Sequence, residues 1–145
     1  MARYVMRVRT ERPADEVFDF MADLSNFPEW DPGTKSAKQV AGDGPGVGAE
    51  YELEASGGTL RYVVKAYDRP RKVVARAQNR FVTSVDTITV SSEGAGAGCV
   101  VAYDADLTLN GALKVGDPLL KLAFARIGNK AAQGLTETLD GTRLD

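Results

Sequence analysis

From residue 34 to residue 109 the chain alternates apolar and polar residues in one segment after another, and it then closes on a single stretch with the period of a helix. That combination most constrains the fold. Period two puts successive side chains on opposite faces of a strand, and period 3.6 puts every third or fourth on one face of a helix. In "AEYELEA", Glu50, Glu52 and Glu54 face one way and Tyr51, Leu53 and Ala55 the other. In "TLRYVVKAYD", Leu60, Tyr62, Val64 and Ala66 share a face, with Arg61 and Lys65 opposite. "VVARAQN", "FVTSVDTITVSS" and "CVVAYDADLTL" continue the series; in the last, Val101, Tyr103, Ala105 and Leu107 oppose Asp104 and Asp106. With the weaker "TKSAKQV" and the N-terminal "RYVMRVRT", the pattern predicts seven strands. "GDGPGVG", "SGG", "RPRK" and "EGAGAG" supply turns at the rhythm of an antiparallel meander. One face is apolar and the other charged, as in a sheet that covers a core on one side only. Arg61 and Lys65 are placed to pair with the glutamates of the neighbouring strand.

The closing stretch, "GDPLLKLAFARIGNKAAQGLTETL", carries Leu120, Phe124, Ile127, Ala131, Leu135 and Thr138 at spacings of three or four. This is an amphipathic helix of about six turns. Asp117 suits its N-cap and Pro118 its first position. Gly128 and Gly134 each cost about 1 kcal/mol relative to alanine inside a helix. Either the helix bends at them or they let another part of the chain come close.

Ahead of the strands, "ERPADEVFDFMADL" reads as a short helix. Pro13, Asp15 and Glu16 sit in its first turn, and Val17, Phe18, Met21 and Leu24 form its apolar stripe. The next segment, "SNFPEWDPG", holds Phe27 and the chain's one tryptophan, Trp30, between two prolines. Ser25 or Asn26 could cap one further turn, with Pro28 at its start. A buried Trp contributes about 4–6 kcal/mol as an upper bound, enough to anchor a polar, broken segment.

A chain of 145 residues with a net charge of −2 fits one domain, and the absence of a basic surface argues against nucleic-acid binding. There is no histidine and one cysteine. Ser-His-Asp and Cys-His catalysis and His- or Cys-based metal sites are excluded, so acid–base chemistry falls to carboxylates, Tyr, Lys, Arg or water. No metal or cofactor is expected. The N-terminal "MARYVMRVRTERP" has no apolar signal-peptide core, and no stretch is long and apolar enough to span a membrane, so a cytoplasmic location is expected. "GDGPGVG" lacks the Lys-Ser/Thr of a phosphate-binding loop and precedes a strand, so it reads as a hairpin turn.

The order is strand, short helix, broken aromatic segment, strands, long C-terminal helix. It resembles the START-like superfamily, which includes polyketide cyclase/dehydrase-like proteins. "RPADEVFDFMADLSNFPEWDP", "GVGAEYELE" and the C-terminal helix carry the resemblance, which covers essentially the whole chain. It implies an α+β helix-grip fold: a seven-stranded curved antiparallel sheet wrapped around the long helix, two short helices after the first strand, and a cavity between sheet and helix. The family shares a cavity rather than a chemistry. The residues agree with a cavity independently. One helix cannot fill the concave face of seven strands, and Tyr4, Tyr51, Tyr62 and Tyr103 all fall at inward positions. Buried phenols need hydrogen-bond partners, which water or a ligand supplies.

The expected wall comprises Tyr4, Phe27, Trp30, Tyr51 and Leu53 from the first half of the chain. Tyr62, Val64, Tyr103, Phe124 and Ile127 complete it. Asp86 faces inward if Ile88 and Val90 do; the opposite phase puts Val85 inward and Asp86 in solvent. An inward Asp86, with Tyr62 and Tyr103, is the candidate acid–base set. Arg76 and Asn79 lie where they could reach a cavity mouth or remain solvated, and Cys99, with no histidine partner, is not expected to act as a nucleophile. Two functions follow. The first is binding of a small hydrophobic or amphipathic molecule (lipid, isoprenoid or polyketide-like) by a monomer or homodimer. The second is an aromatic polyketide cyclase or dehydratase that uses Tyr, Asp or Arg in the same cavity.

Overall fold

All seven expected strands form, and an eighth joins them at the C-terminal end. The computed structural model describes residues 2–55, 58–92, 98–110 and 117–144, with the backbone alone for 117–121. The strands are β1 (Ala2–Thr10), β2 (Thr34–Ala41), β3 (Glu50–Ala55), β4 (Gly58–Asp68), β5 (Lys72–Gln78), β6 (Val82–Ser92), β7 (Cys99–Leu109) and β8 (Thr142–Arg143). They form one antiparallel sheet in the order β2-β3-β4-β5-β6-β7-β1-β8. β8 is a two-residue strip on β1, too short to show as an alternation in the sequence. The expected turns at residues 56–57 and 93–97, and the expected cap side chain of Asp117, lie outside the described residues.

The helices are α1 (Ala14–Ala22), α2 (Phe27–Trp30) and α3 (Asp117–Thr138). A 3-10 turn, Leu24–Asn26, joins α1 to α2. Asp23 caps it, its carboxylate accepting the Ser25 amide, as short acidic side chains do at helix entries. The further turn, α2, has Asn26 at its N-cap position and Pro28 in its first turn as expected, with no side-chain bond from Asn26 closing the cap. Val17, Phe18 and Met21 of α1 and Leu24 of the turn are buried as the helical spacing predicts.

Two strand pairs depart from strict alternation. β2 slips against β3 between Thr34 and Ser36 and between Gln39 and Ala41. The register of β4 against β5 slips between Val64 and Ala66, a bulge that reverses the facing of the residues after it. Ala66 is therefore exposed, and Tyr67 packs edge-on against Phe18 at 5.3 Å between ring centres. On the charged face Arg61 pairs as expected, its Nε donating to Glu50 Oε1 at 2.8 Å.

The inner face of the sheet divides along the strands into two zones. At one end α1 and the 3-10 turn fill the concavity, and Val8, Phe18, Met21, Tyr51, Val64 and Val73 pack without exposure. At the other end, among the described residues, α2 and α3 alone cover the sheet. α3 lies close because its two internal glycines allow it. A Cβ at Gly128 would overlap the ring of Tyr4, and one at Gly134 would overlap the carbonyl oxygen of Trp30. Of the two explanations open from the sequence, close approach is the one observed, in a helix that runs unbroken from Asp117 to Thr138.

The obstacle at Gly134 is backbone, which cannot swing aside as the end of a flexible side chain would. Gly134→Ala is expected to lower stability by about 1–3 kcal/mol through this overlap, outweighing the roughly 1 kcal/mol that alanine gains inside a helix. Thermal unfolding followed by circular dichroism checks this; an unchanged or raised midpoint contradicts the close contact.

Candidate functional site

Where α1 no longer fills the sheet, a cavity of about 290 Å3 remains between sheet, α2 and α3. Its walls follow from local sequence. Inward positions of β3 and β4 supply Leu53, Leu60 and Tyr62; β6 supplies Ser84 and Asp86; β7 supplies Tyr103, Ala105 and Leu107. Tyr4 and Met6 come from β1, Phe27 and Trp30 from α2, and Phe124, Ile127 and Ala131 from α3. Most of this surface is hydrocarbon, with a few polar groups at fixed points, the usual constitution of a small-molecule site.

Two expected wall residues fall elsewhere. Tyr51 and Val64 point inward as the alternation predicts, but each sits one inward position beyond the cavity, in the zone that α1 fills. Alternation assigns a residue to a face and says nothing of its place along the strand. Tyr51 is fully buried, its hydroxyl has no hydrogen-bond partner among the described residues, and burial pushes it up to about 12. Of the mouth candidates, Arg76 is exposed, whereas Asn79 borders the cavity. Asn79 also shapes the β5–β6 turn, where its side-chain oxygen accepts the amides of Phe81 and Val82. Ile127 lines the cavity while 45% exposed, which places it at the mouth. Cys99 is buried at the packed end.

β6 settles the open phase. Ser84, Asp86, Ile88 and Val90 all face inward, and Asp86 is 4% exposed. Three hydroxyls converge on its carboxyl group. Ser84 donates to Oδ1 at 2.6 Å, Tyr62 donates to Oδ2 at 3.2 Å, and Tyr103 donates to the same oxygen. The register explains the meeting: Asp86 lies opposite Ala105 on β7 and opposite Ala75 on β5, and small neighbours leave room for phenols from either side. Burial pushes Asp86 above the ordinary carboxylate range, and the three hydroxyls partly offset this by stabilising the anion. Burial also pushes Tyr62 and Tyr103 well above the ordinary phenol value, and the adjacent Asp86 adds to the rise. At neutral pH both phenols are donors.

Asp31, just after α2, was not among the expected site residues, yet it borders the same cavity. It accepts the Gly33 amide and the Thr34 hydroxyl, both at 2.9 Å. Burial raises it too, against the lowering effect of those two donors. "DPGT" reads as a turn, in which an Asp accepting an amide two residues on is ordinary; nothing in the alternation marks it as cavity-facing. Trp30 answers to both of its readings. It is 2% exposed, packs against Phe27 and Tyr103 with ring centres 4.8 and 5.5 Å away, and forms part of the cavity wall. Its indole N–H has no partner among the described residues. Among those residues no group of three or more acidic or cysteine side chains comes together to hold a metal ion. No helix among them is long and apolar enough to cross a membrane.

A curved antiparallel sheet around one long helix, with a cavity between them, is the helix-grip class of α+β protein. The chain belongs to the polyketide cyclase / dehydrase and lipid transport family, whose model matches residues 1–140. Solved structures agree in fold. A START superfamily protein from Mycobacterium smegmatis superposes with a TM-score of 0.77 at 16% identity, covering 97% of this chain and 98% of that one. The protein XoxI from Bacillus cereus gives 0.73 at 17% identity, with 96% of each chain covered. The di-domain ARO/CYC BexL from the BE-7585A biosynthetic pathway gives 0.71 at 16% identity, with 97% of this chain matching 47% of that one. No curated protein matches.

The raised Asp86 makes a signed prediction. The folded protein holds this proton more tightly than the unfolded chain does, so the associated stability is complete below the ordinary carboxylate value. It is lost as pH rises through the raised one. Asp86→Asn cannot titrate. Its unfolding midpoint relative to the wild type should therefore climb as pH goes from about 3 to about 8. Asp19, lowered by Arg69, remains in both proteins and cancels, whereas the charge of Asp31 helps to raise Asp86, so losing that coupling acts in the same direction. Paired thermal melts across that range check the trend, and a difference that stays level with pH contradicts it.

Proposed function

We propose that this protein binds a small hydrophobic or amphipathic molecule in the cavity between the sheet and α3. The observation that carries the reading is a largely hydrocarbon cavity of about 290 Å3 whose wall holds a few hydroxyl and carboxyl groups at fixed positions. Burial of ligand hydrocarbon supplies affinity at about 25 cal/mol per Å2, and the polar groups orient what is bound. The family description, which joins cyclases with lipid transport, supports the same class of ligand.

A second reading has its own observation. Asp86, itself buried, holds two phenols and a serine hydroxyl at the wall of the cavity, an arrangement suited to moving a proton on a bound molecule. A cyclase or dehydratase acting on a poly-β-carbonyl chain would use it so, with Tyr103 or Tyr62 as the donor to a carbonyl oxygen. The likeness to the BexL aromatase/cyclase is one of fold at 16% identity and favours this reading only to that extent.

The binding reading is tested with N-phenyl-1-naphthylamine, an uncharged fluorescent probe. Trp30, the one tryptophan and part of the cavity wall, serves as energy donor to a probe seated there. Saturable transfer from Trp30 at one probe per chain is expected, with Kd near about 1 μM. Ala105→Phe, which projects a ring into the cavity, should weaken binding by about tenfold or more. Absence of transfer, or equal affinity in a folded Ala105→Phe protein, contradicts the reading. Tyr103→Phe separates the two functions. A lost orienting hydrogen bond weakens binding of a carbonyl-bearing ligand by about two- to tenfold, whereas a lost proton donor removes turnover of a poly-β-carbonyl substrate.

A further inference from the structure

The cavity wall is unbalanced in charge. It carries two aspartates, Asp31 and Asp86, and among the described residues no lysine or arginine borders it. The guanidinium that touches a wall residue is that of Arg143, which reaches the Tyr4 hydroxyl and Asn129 on the exposed outer edge of the sheet. Among the described residues neither aspartate makes an ion pair. Each is held by uncharged donors instead: three hydroxyls on Asp86, and an amide and a hydroxyl on Asp31. An ionised carboxylate accepts about four hydrogen bonds, so both keep unused acceptor capacity. The three hydroxyls on Asp86 are satisfied together when that group is ionised, since each then donates to an acceptor that competes for no proton.

A second feature of the same wall points the same way. Phe27, Trp30 and Tyr103 form a cluster with ring centres 4.8 to 6.0 Å apart, and Tyr103 joins it to Asp86 by its hydroxyl. Aromatic faces attract cations and repel anions. A cavity with aromatic rings, two carboxyl groups and no base lacks one complementary thing, a positively charged hydrogen-bond donor. An anion brought into it would meet like charge in a medium that screens poorly.

We propose that the molecule held in this cavity is an amphiphile whose polar end is a protonated amine, and that the cavity rejects carboxylate-ended molecules such as free fatty acids. This rests on the ligand-binding reading above and narrows it. The ammonium group would sit between Asp86 and Asp31, donating into the acceptor sites their present partners leave open, and the hydrocarbon would lie along β3, β4 and α3.

The test is a competition at pH 7 against bound N-phenyl-1-naphthylamine with three molecules of one chain length: decylamine, 1-decanol and decanoate. The amine is protonated and the acid ionised at that pH. Decylamine should displace the probe at a concentration about tenfold or more below that needed for decanoate, with decanol between them. Asp86→Asn and Asp31→Asn should each narrow that gap to about threefold, with decanoate gaining as the amine loses. Cooperative thermal unfolding certifies the fold of each variant, and Asp31→Asn, which keeps an acceptor for the Gly33 amide, carries the test if Asp86→Asn does not fold. Decanoate matching or beating decylamine overturns the inference. So does a gap that survives in a folded variant, or failure of all three to displace bound probe. If the probe itself does not bind, the ligand-binding reading fails first; if it binds and the order is wrong, only the amine assignment falls.

Discussion

One long helix is too narrow to fill the concave face of a sheet this wide, and the rest of the architecture follows from how the shortfall is met. At one end α1 and the 3-10 turn complete the packing, with Phe18, Met21 and Leu24 set among inward residues of the central strands. At the other end nothing comparable arrives among the described residues, and the cavity lies there. Close packing is the default inside proteins, so a void of this size is stable only where the surrounding elements are held rigidly enough not to collapse into it. Here the holding is done by an antiparallel ladder running without a break from β2 to β8 and by the close seat of α3.

That seat depends on two glycines and one short helix. Gly128 lets α3 lie against Tyr4, and Gly134 lets it meet the backbone at Trp30. The Thr138 hydroxyl adds a bond to the Glu29 carbonyl, so α2 is clasped by the C-terminal half of α3. Trp30 then does two things by virtue of size. Its ring packs on Phe27 and Tyr103, which stiffens the wall, and part of its surface is the wall. The proline-broken, polar-flanked segment around it is thus held by apolar burial together with local turn hydrogen bonds, since α2 is a single turn.

Polar groups inside such a wall are expensive unless partnered, and the pattern of partnership separates the two zones. The Asp86 cluster brings together side chains from β4, β6 and β7, and the alanines opposite Asp86 on both neighbouring strands leave room for the phenols. Tyr51, a single inward position away from the cavity, has no partner for its hydroxyl among the described residues. Neighbouring phenols on paired strands therefore experience different chemistry, one closing a hydrogen-bonded network and the other buried with no partner for its hydroxyl among the described residues.

Alternation and helical spacing depend only on covalent periodicity, which is why the strands, the three helices, the facing of Tyr62 and Tyr103 and the resemblance to a helix-grip protein could be read directly from the residues. Periodicity carries no information on how far along a strand a filler helix reaches, so Tyr51 and Val64 were expected in the wall and lie in the packed zone. It cannot register a bulge, which moved Ala66 out and Tyr67 in, nor choose between two equally regular phases, which left Asp86 open. It also missed Asp31, whose turn chemistry is local while its place beside the cavity is not. The amino-acid order thus determined which side chains belong to each face. The assembled molecule decided which of them surround empty space, because that depends on the distances between elements far apart in the chain.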